Sequence, residues 1–211
     1  MCAKEKCPEI TVFAGPNGFG KSTIKRNSPH GQVNYINADE ISVALHCDNL
    51  TAAQKAEEMR NGYVDTHTDF SFETVLSTPR NLELLKKAKS EGFFIRGIFV
   101  LTTSGDLNVA RVKSRVIAGG HDVPVEKIVS RYEKALANVA EFVSICDVCH
   151  IYDNTFSEPA RIFRKKKNEY LCWSNQAWSA QRVSNLVKLP VVNEKGRRYV
   201  RLVMLQSKID R

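Results

Sequence analysis

Short apolar runs alternate with amphipathic stretches over most of the chain. Residues 10–14, 33–37, 71–76, 93–102 and 148–152 have the length and the β-branched or aromatic content of strands. Residues 52–69, 79–91, 105–118 and 124–143 carry the spacing of helices. Strand and helix in turn predict an α/β fold, a mostly parallel five-stranded sheet covered by helices in a three-layer α/β/α arrangement. In the second helix, Thr78 is placed to cap, Pro79 suits the first turn and Gly92 suits the end. The last two helices meet at Gly119-Gly120-His121-Asp122, a glycine corner that suits the hinge of a helical lid over about residues 104–143. His121 reads as a turn residue and is assigned no role.

Beyond Asn154 the pattern changes. A hairpin is expected around Lys166-Lys167-Asn168, a short helix over 177–187 and a last strand within "RRYVRLVML". With no internal repeat and no low-complexity linker, residues 1–155 are expected to form the core and 156–211 an extension of the same domain. The length of 211 residues and the 43% apolar content suit one domain with a full core.

Charge divides the chain at the same place. Residues 160–211 hold 13 Lys/Arg against 3 Asp/Glu, whereas the first 159 hold 18 against 20, so the net +8 belongs to the extension. Such a segment is either a solvated basic surface or a face for nucleic acid, lipid or an acidic partner. The first residues are charged and lack an apolar core, and no run approaches a membrane span; a cytoplasmic protein with no membrane association is expected. Its six cysteines (2, 7, 47, 146, 149 and 172) are then expected as thiols. Cys146-Asp-Val-Cys149-His150 spells a haem-attachment pattern, but it runs into a strand and reads better as two small apolar residues near the core.

The chemistry begins at "GPNGFGKST", residues 15–23, directly after the first strand. Two glycines five positions apart, followed by Lys and Ser, form the phosphate loop, whose backbone N–H groups converge on one small volume. All of Gly15, Pro16, Asn17, Gly18, Phe19, Gly20, Lys21, Ser22 and Thr23 are candidates for holding a nucleotide. Lys21 would reach the terminal phosphates of ATP and Ser22 would ligate Mg²⁺. Acids stand at the ends of two other strands, Asp39 after "YIN" and Glu73-Thr74 within "FSFETVL". That location surrounds the substrate crevice of an open α/β sheet and suits a group that positions a hydroxyl and takes its proton. Asp39 has a second reading as the cap of the next helix. Arg111 and Arg115 share a helix face and Arg131 lies beyond the glycine corner, where guanidinium groups on a lid would balance phosphoryl charge; solvated helix charge is the alternative for each.

Five stretches, "ITVFAGPNGFGKST", "YINADEI", "FSFETVLS", "ARVKSRVIAGGHDVPVEKIVSRYEKAL" and "IYDNT", resemble in order and spacing the zeta toxin family of P-loop kinases, especially its short members. The resemblance covers about residues 9–155. It implies a shikimate-kinase-like P-loop fold and an ATP- and Mg²⁺-dependent kinase, a toxin of a toxin–antitoxin pair, whose acceptor is a UDP-sugar such as UDP-N-acetylglucosamine. By that resemblance Lys21, Asp39, Arg115 and Arg131 are the catalytic set, with Asp39 the base. Asp39, Glu73, Thr74 and Arg111 are expected on the substrate, Ser22 on the metal, and a cognate antitoxin as partner. Two other functions fit the same scaffold: an antibiotic or nucleic-acid 5′-hydroxyl kinase, which the basic extension favours, and a nucleotide-dependent binding module.

Overall fold

The computed structural model describes residues 7–26, 28, 33–119, 123–167 and 169–189, and the backbone of 200–202. Its strands are β1 (Glu9–Ala14), β2 (Tyr35–Ile36), β3 (Phe70–Thr74), β4 (Phe94–Leu101), β5 (Val148–Asp153), β6 (Ala160–Lys166), β7 (Glu169–Cys172) and β8 (Val200–Leu202). Its helices are α1 (Lys21–Arg26), α2 (Ala38–Leu45), α3 (Asn49–Asp65), α4 (Arg80–Ser90), α5 (Gly105–Ile117), α6 (Val125–Ile145) and α7 (Ala180–Leu186).

The sheet order is β2-β3-β1-β4-β5-β6-β7-β8. The first five strands are parallel, as the alternating pattern predicts, and β6 and β7 continue the sheet antiparallel. The extension therefore adds to the sheet of the core, which is wider than the five strands expected. The hairpin and the short helix lie where the pattern put them.

Buried position and composition agree strand by strand. β1 has neighbours on both sides, and every residue after Glu9 is buried. Parallel strands covered on both faces read as continuous apolar runs for this reason. Register sorts the faces: Val12 lies beside Phe72, while Tyr35 lies beside Ser71, two residues before Glu73. Tyr63 and Arg60 of α3 pack on Phe70 and Phe72, and α6 packs on α4, α7 and β4. These helices form the layer on one face. On the other, Lys25 of α1 lies 3.3 Å above the centre of the Tyr35 ring. Gly97 of β4 leaves room for Phe142 of α6, whose ring carbon would stand 2.8 Å from a Cβ there.

The helix ends differ from expectation at α3, which spans Asn49–Asp65 where 52–69 was expected, and at the cap of α4. Pro79, directly before α4, has helical φ and ψ of −69° and −20°, and no side chain caps the helix. Thr78 is thus not the cap, because the helical conformation already begins at the proline. Gly92, at φ +90°, follows the end of α4 as expected. Cys146 and Cys149 are buried in the core. Gly120, His121 and Asp122 of the glycine corner lie outside the described residues, as does most of the expected last strand.

The extension is anchored by Trp178, 2% exposed, with the Arg182 guanidinium 3.9 Å from its ring centre. Truncating a buried Trp costs about 3–5 kcal/mol. Trp178→Ala should shift one cooperative denaturation transition by about that amount; a separate transition, leaving the core unshifted, would show that the extension folds apart.

Candidate active site

The phosphate loop is held in shape from three strands. Gly15, at φ +138°, donates its N–H to the Thr74 carbonyl of β3 at 3.1 Å, and a Cβ there would stand 2.3 Å from the Val100 carbonyl oxygen of β4. Just beyond β5, Asn154 donates from Nδ2 to the Phe19 carbonyl at 2.7 Å. A Cβ on Gly20, at φ +78°, would stand 2.3 Å from that same Nδ2. Both glycines of the motif thus meet a neighbour at the point where a side chain would begin. Phe19 is fully buried and meets Tyr132 of α6 edge-on at 5.8 Å.

Lys21 folds back over the loop, donating from Nζ to the carbonyls of Gly15 at 2.7 Å and Pro16 at 3.2 Å. Burial lowers the pKa of its ammonium below the ordinary 10.5; the Glu73 and Asp39 carboxylates oppose the shift, and Arg115 and Arg131 add to it. Four residues picked from the sequence therefore act on one ammonium. Ser22 follows at the start of α1 and is exposed.

Asp39 is not a helix cap. Asn37 caps α2, its Oδ1 accepting from the Asp39 N–H at 2.9 Å, which leaves the Asp39 carboxylate unused by the helix end. Glu73 accepts a hydrogen bond from the Tyr35 hydroxyl at 2.7 Å, and Asn37 Nδ2 donates to the same hydroxyl at 3.0 Å. Burial, and then the Glu73 carboxylate, raise the Tyr35 phenol above its ordinary pKa, so it stays a donor. The Thr74 hydroxyl accepts from the Leu76 N–H at 3.0 Å and from Asn81 Nδ2 at 2.8 Å. It shapes the turn at Leu76, a buried residue at φ +59° whose carbonyl takes a 2.8 Å hydrogen bond from Asn138 of α6.

These groups share a cavity of about 380 Å³ whose walls include Lys21, Asp39, Glu73, Thr74 and Arg131, with Asn17 of the loop. That volume suits a small ligand. Arg115 acts on Lys21 without forming part of the wall. Arg111 does not line this cavity. It donates to the carbonyls of Asn154 at 2.7 Å and Thr155 at 3.1 Å, which ties α5 to the end of β5 and keeps the guanidinium off the cavity wall. Tyr35 and Asn154 escaped the sequence reading. Both lie inside quoted motifs, but their work is done across strands whose adjacency one sequence does not reveal.

No known protein-family profile matches the chain. An uncharacterized protein of Haemophilus influenzae is 28% identical over 125 residues, 57% of this chain and 89% of that one. Among solved structures, the PezAT chromosomal toxin–antitoxin system of Streptococcus pneumoniae aligns with a TM-score of 0.54 at 14% identity, over 90% of this chain and 82% of that one. The complex of AvrRxo1-ORF1 and -ORF2 with ATP aligns with a TM-score of 0.66 at 13% identity, over 90% of this chain and 67% of that one. The fold is that of the zeta-toxin-like P-loop kinases. The cavity lies outside the carboxyl ends of β1, β2 and β3, the crevice where open α/β sheets take ligands. No helix among the described residues is long and apolar enough to cross a membrane.

Gly20→Ala tests the clamp. The added methyl overlaps Asn154 and a non-glycine residue is strained at this φ, so a loss of about 1–3 kcal/mol in denaturant unfolding is expected, together with loss of binding of a non-hydrolysable ATP analogue. Unchanged binding would contradict the loop geometry.

Proposed function

We propose that the protein is a kinase that binds ATP on the Gly15–Thr23 loop and transfers the γ-phosphoryl group to a hydroxyl of a small anionic acceptor in the adjoining cavity. UDP-N-acetylglucosamine is the acceptor suggested by the resemblance of the motifs. The observation that carries the reading is the convergence of Asp39 and Glu73 on the Lys21 ammonium beside one cavity. Binding alone would need the cation but not two carboxylates at the place where a hydroxyl must stand. ATP in the AvrRxo1 complex, which shares the fold, supports nucleotide on the loop.

The loop N–H groups and Lys21 hold the β- and γ-phosphates. Glu73, kept in place by Tyr35, accepts a hydrogen bond from the acceptor and helps to orient it. Asp39 takes the proton as the acceptor oxygen bonds to phosphorus and the bond to ADP breaks. Arg131 and Arg115 offset the charge spread over the equatorial oxygens. Mg²⁺ fits this donor set: Ser22 offers an exposed hydroxyl beside Lys21, which suits a cation shared with phosphate and water. When bound, Mg²⁺ neutralises phosphate charge. An antitoxin-like protein is the proposed partner, since PezAT is a toxin–antitoxin system and AvrRxo1-ORF1 is solved together with AvrRxo1-ORF2.

Purified protein with Mg²⁺ should consume ATP faster when UDP-N-acetylglucosamine is present, and Asp39→Ala should lower kcat by about 10²–10⁴-fold. Lys21→Ala should abolish the stimulation. Turnover by Asp39→Ala at the parental rate would overturn the base assignment. The pH profile gives a second check. In the free enzyme the lowered Lys21 pKa means that the ammonium loses its proton below the ordinary 10.5, whereas bound phosphate favours the charged form. The alkaline fall in kcat/KM for ATP should therefore come at lower pH than the fall in kcat; coincident falls would contradict this role.

A further inference from the structure

The cavity wall opposite the phosphate loop is one face of α3. Asn49, Ala53, Ala56 and Arg60 line it, at the spacing that stacks residues along a single helix face. The two alanines leave the space open, and Asn49 and Arg60 put donors at either end of it. Arg60 is held differently from Lys21, Arg80 and Lys87, with the Glu57 carboxylate acting on it but no ion pair among the described residues. Lys21 is bonded to loop carbonyls, and in the groove next door Arg80 is paired with Glu57 at 3.5 Å and Lys87 with Asp65 at 2.8 Å. Among the described residues no group accepts a hydrogen bond from Arg60 Nε, which is buried. The guanidinium is steadied over the Phe72 ring, 5.2 Å from its centre, one residue before Glu73.

Burial of the Arg60 Nε–H without an acceptor is unfavourable, the Glu57 carboxylate offsets it only at a distance, and a bidentate oxyanion relieves it. The charges on the wall favour such a ligand, with Lys21, Arg60, Lys127 and Arg131 against Asp39 and Glu73. Arg60 and Asn81 also line the adjoining groove of about 350 Å³, so an acceptor longer than the first cavity has somewhere to continue.

We propose that Arg60 anchors a phosphate or diphosphate of the acceptor, holding its hydroxyl toward Asp39 and Glu73 while the remainder runs past Asn81 into the adjoining groove. The direction of the acceptor rests on the kinase reading; the binding of the oxyanion does not. The site thereby selects phosphorylated acceptors over the corresponding free sugars.

Calorimetric titration separates the two claims. The loop is first filled with a saturating non-hydrolysable ATP analogue; failure of that step would count against the kinase reading itself. Pyrophosphate and UDP-N-acetylglucosamine are then titrated into the parent, Arg60→Met and Arg60→Lys. With the analogue bound equally by all three, Arg60→Met should weaken both ligands by about tenfold or more. Arg60→Lys, which keeps the charge without the fork, should fall between. Pyrophosphate that fails to bind the parent, or binds Arg60→Met as tightly as the parent, would overturn the proposal. If Arg60→Met does not take up the analogue, Arg60→Lys decides: unchanged affinity for both ligands relative to the parent overturns the anchor, and weakened affinity supports it.

Discussion

The turn after β1 is gripped by its neighbours, and every other part of the site takes its position from that grip. A carbonyl of β3 accepts the Gly15 N–H, a carbonyl of β4 occupies the place of a Gly15 side chain, and Asn154 beyond β5 holds the Phe19 carbonyl. A loop with several converging N–H groups has few internal hydrogen bonds of its own, so its shape must come from outside. Parallel strands supply it, because the ends of β1, β3, β4 and β5 lie side by side at one edge of the sheet. The same contacts couple the loop to other elements: Thr74 serves Gly15 through its carbonyl and the Leu76 turn through its hydroxyl, and Arg111 joins α5 to Asn154.

Charge is arranged around this frame as a balanced set. Lys21 is buried at a cost that Glu73 and Asp39 offset, while Arg115 and Arg131 pull the other way. Glu73 is further fixed by a phenol that burial keeps protonated. Such preorganisation matters for phosphoryl transfer, where positioning and electrostatics do most of the work. It also explains why Asn37, not Asp39, caps α2: a carboxylate committed to the helix end would be lost to the cavity.

Much of this was legible in the sequence where the signal is local. The five parallel strands, the phosphate loop and the hairpin each come from a short contiguous pattern, and the structure places them accordingly. Contacts between distant segments were not legible. Tyr35 and Glu73 are 38 positions apart, and Asn154 and Phe19 are 135 apart. The contacts of Arg111 were hidden for the same reason: its spacing from Arg115 describes a shared helix face, but the carbonyls that bind it come from the far end of β5. Arg60 carries no motif, and its meaning appears only once α3 is laid along the cavity.

The central claim is a division of the site, with ATP on the loop and the acceptor against α3. Hydrogen–deuterium exchange with each ligand added alone tests it directly. A non-hydrolysable ATP analogue should slow exchange across the loop and α1 while leaving α3 unchanged, and UDP-N-acetylglucosamine should slow exchange in α3 and at the start of α2. Protection of the same segments by both ligands, or protection by the analogue away from the loop, would contradict the account.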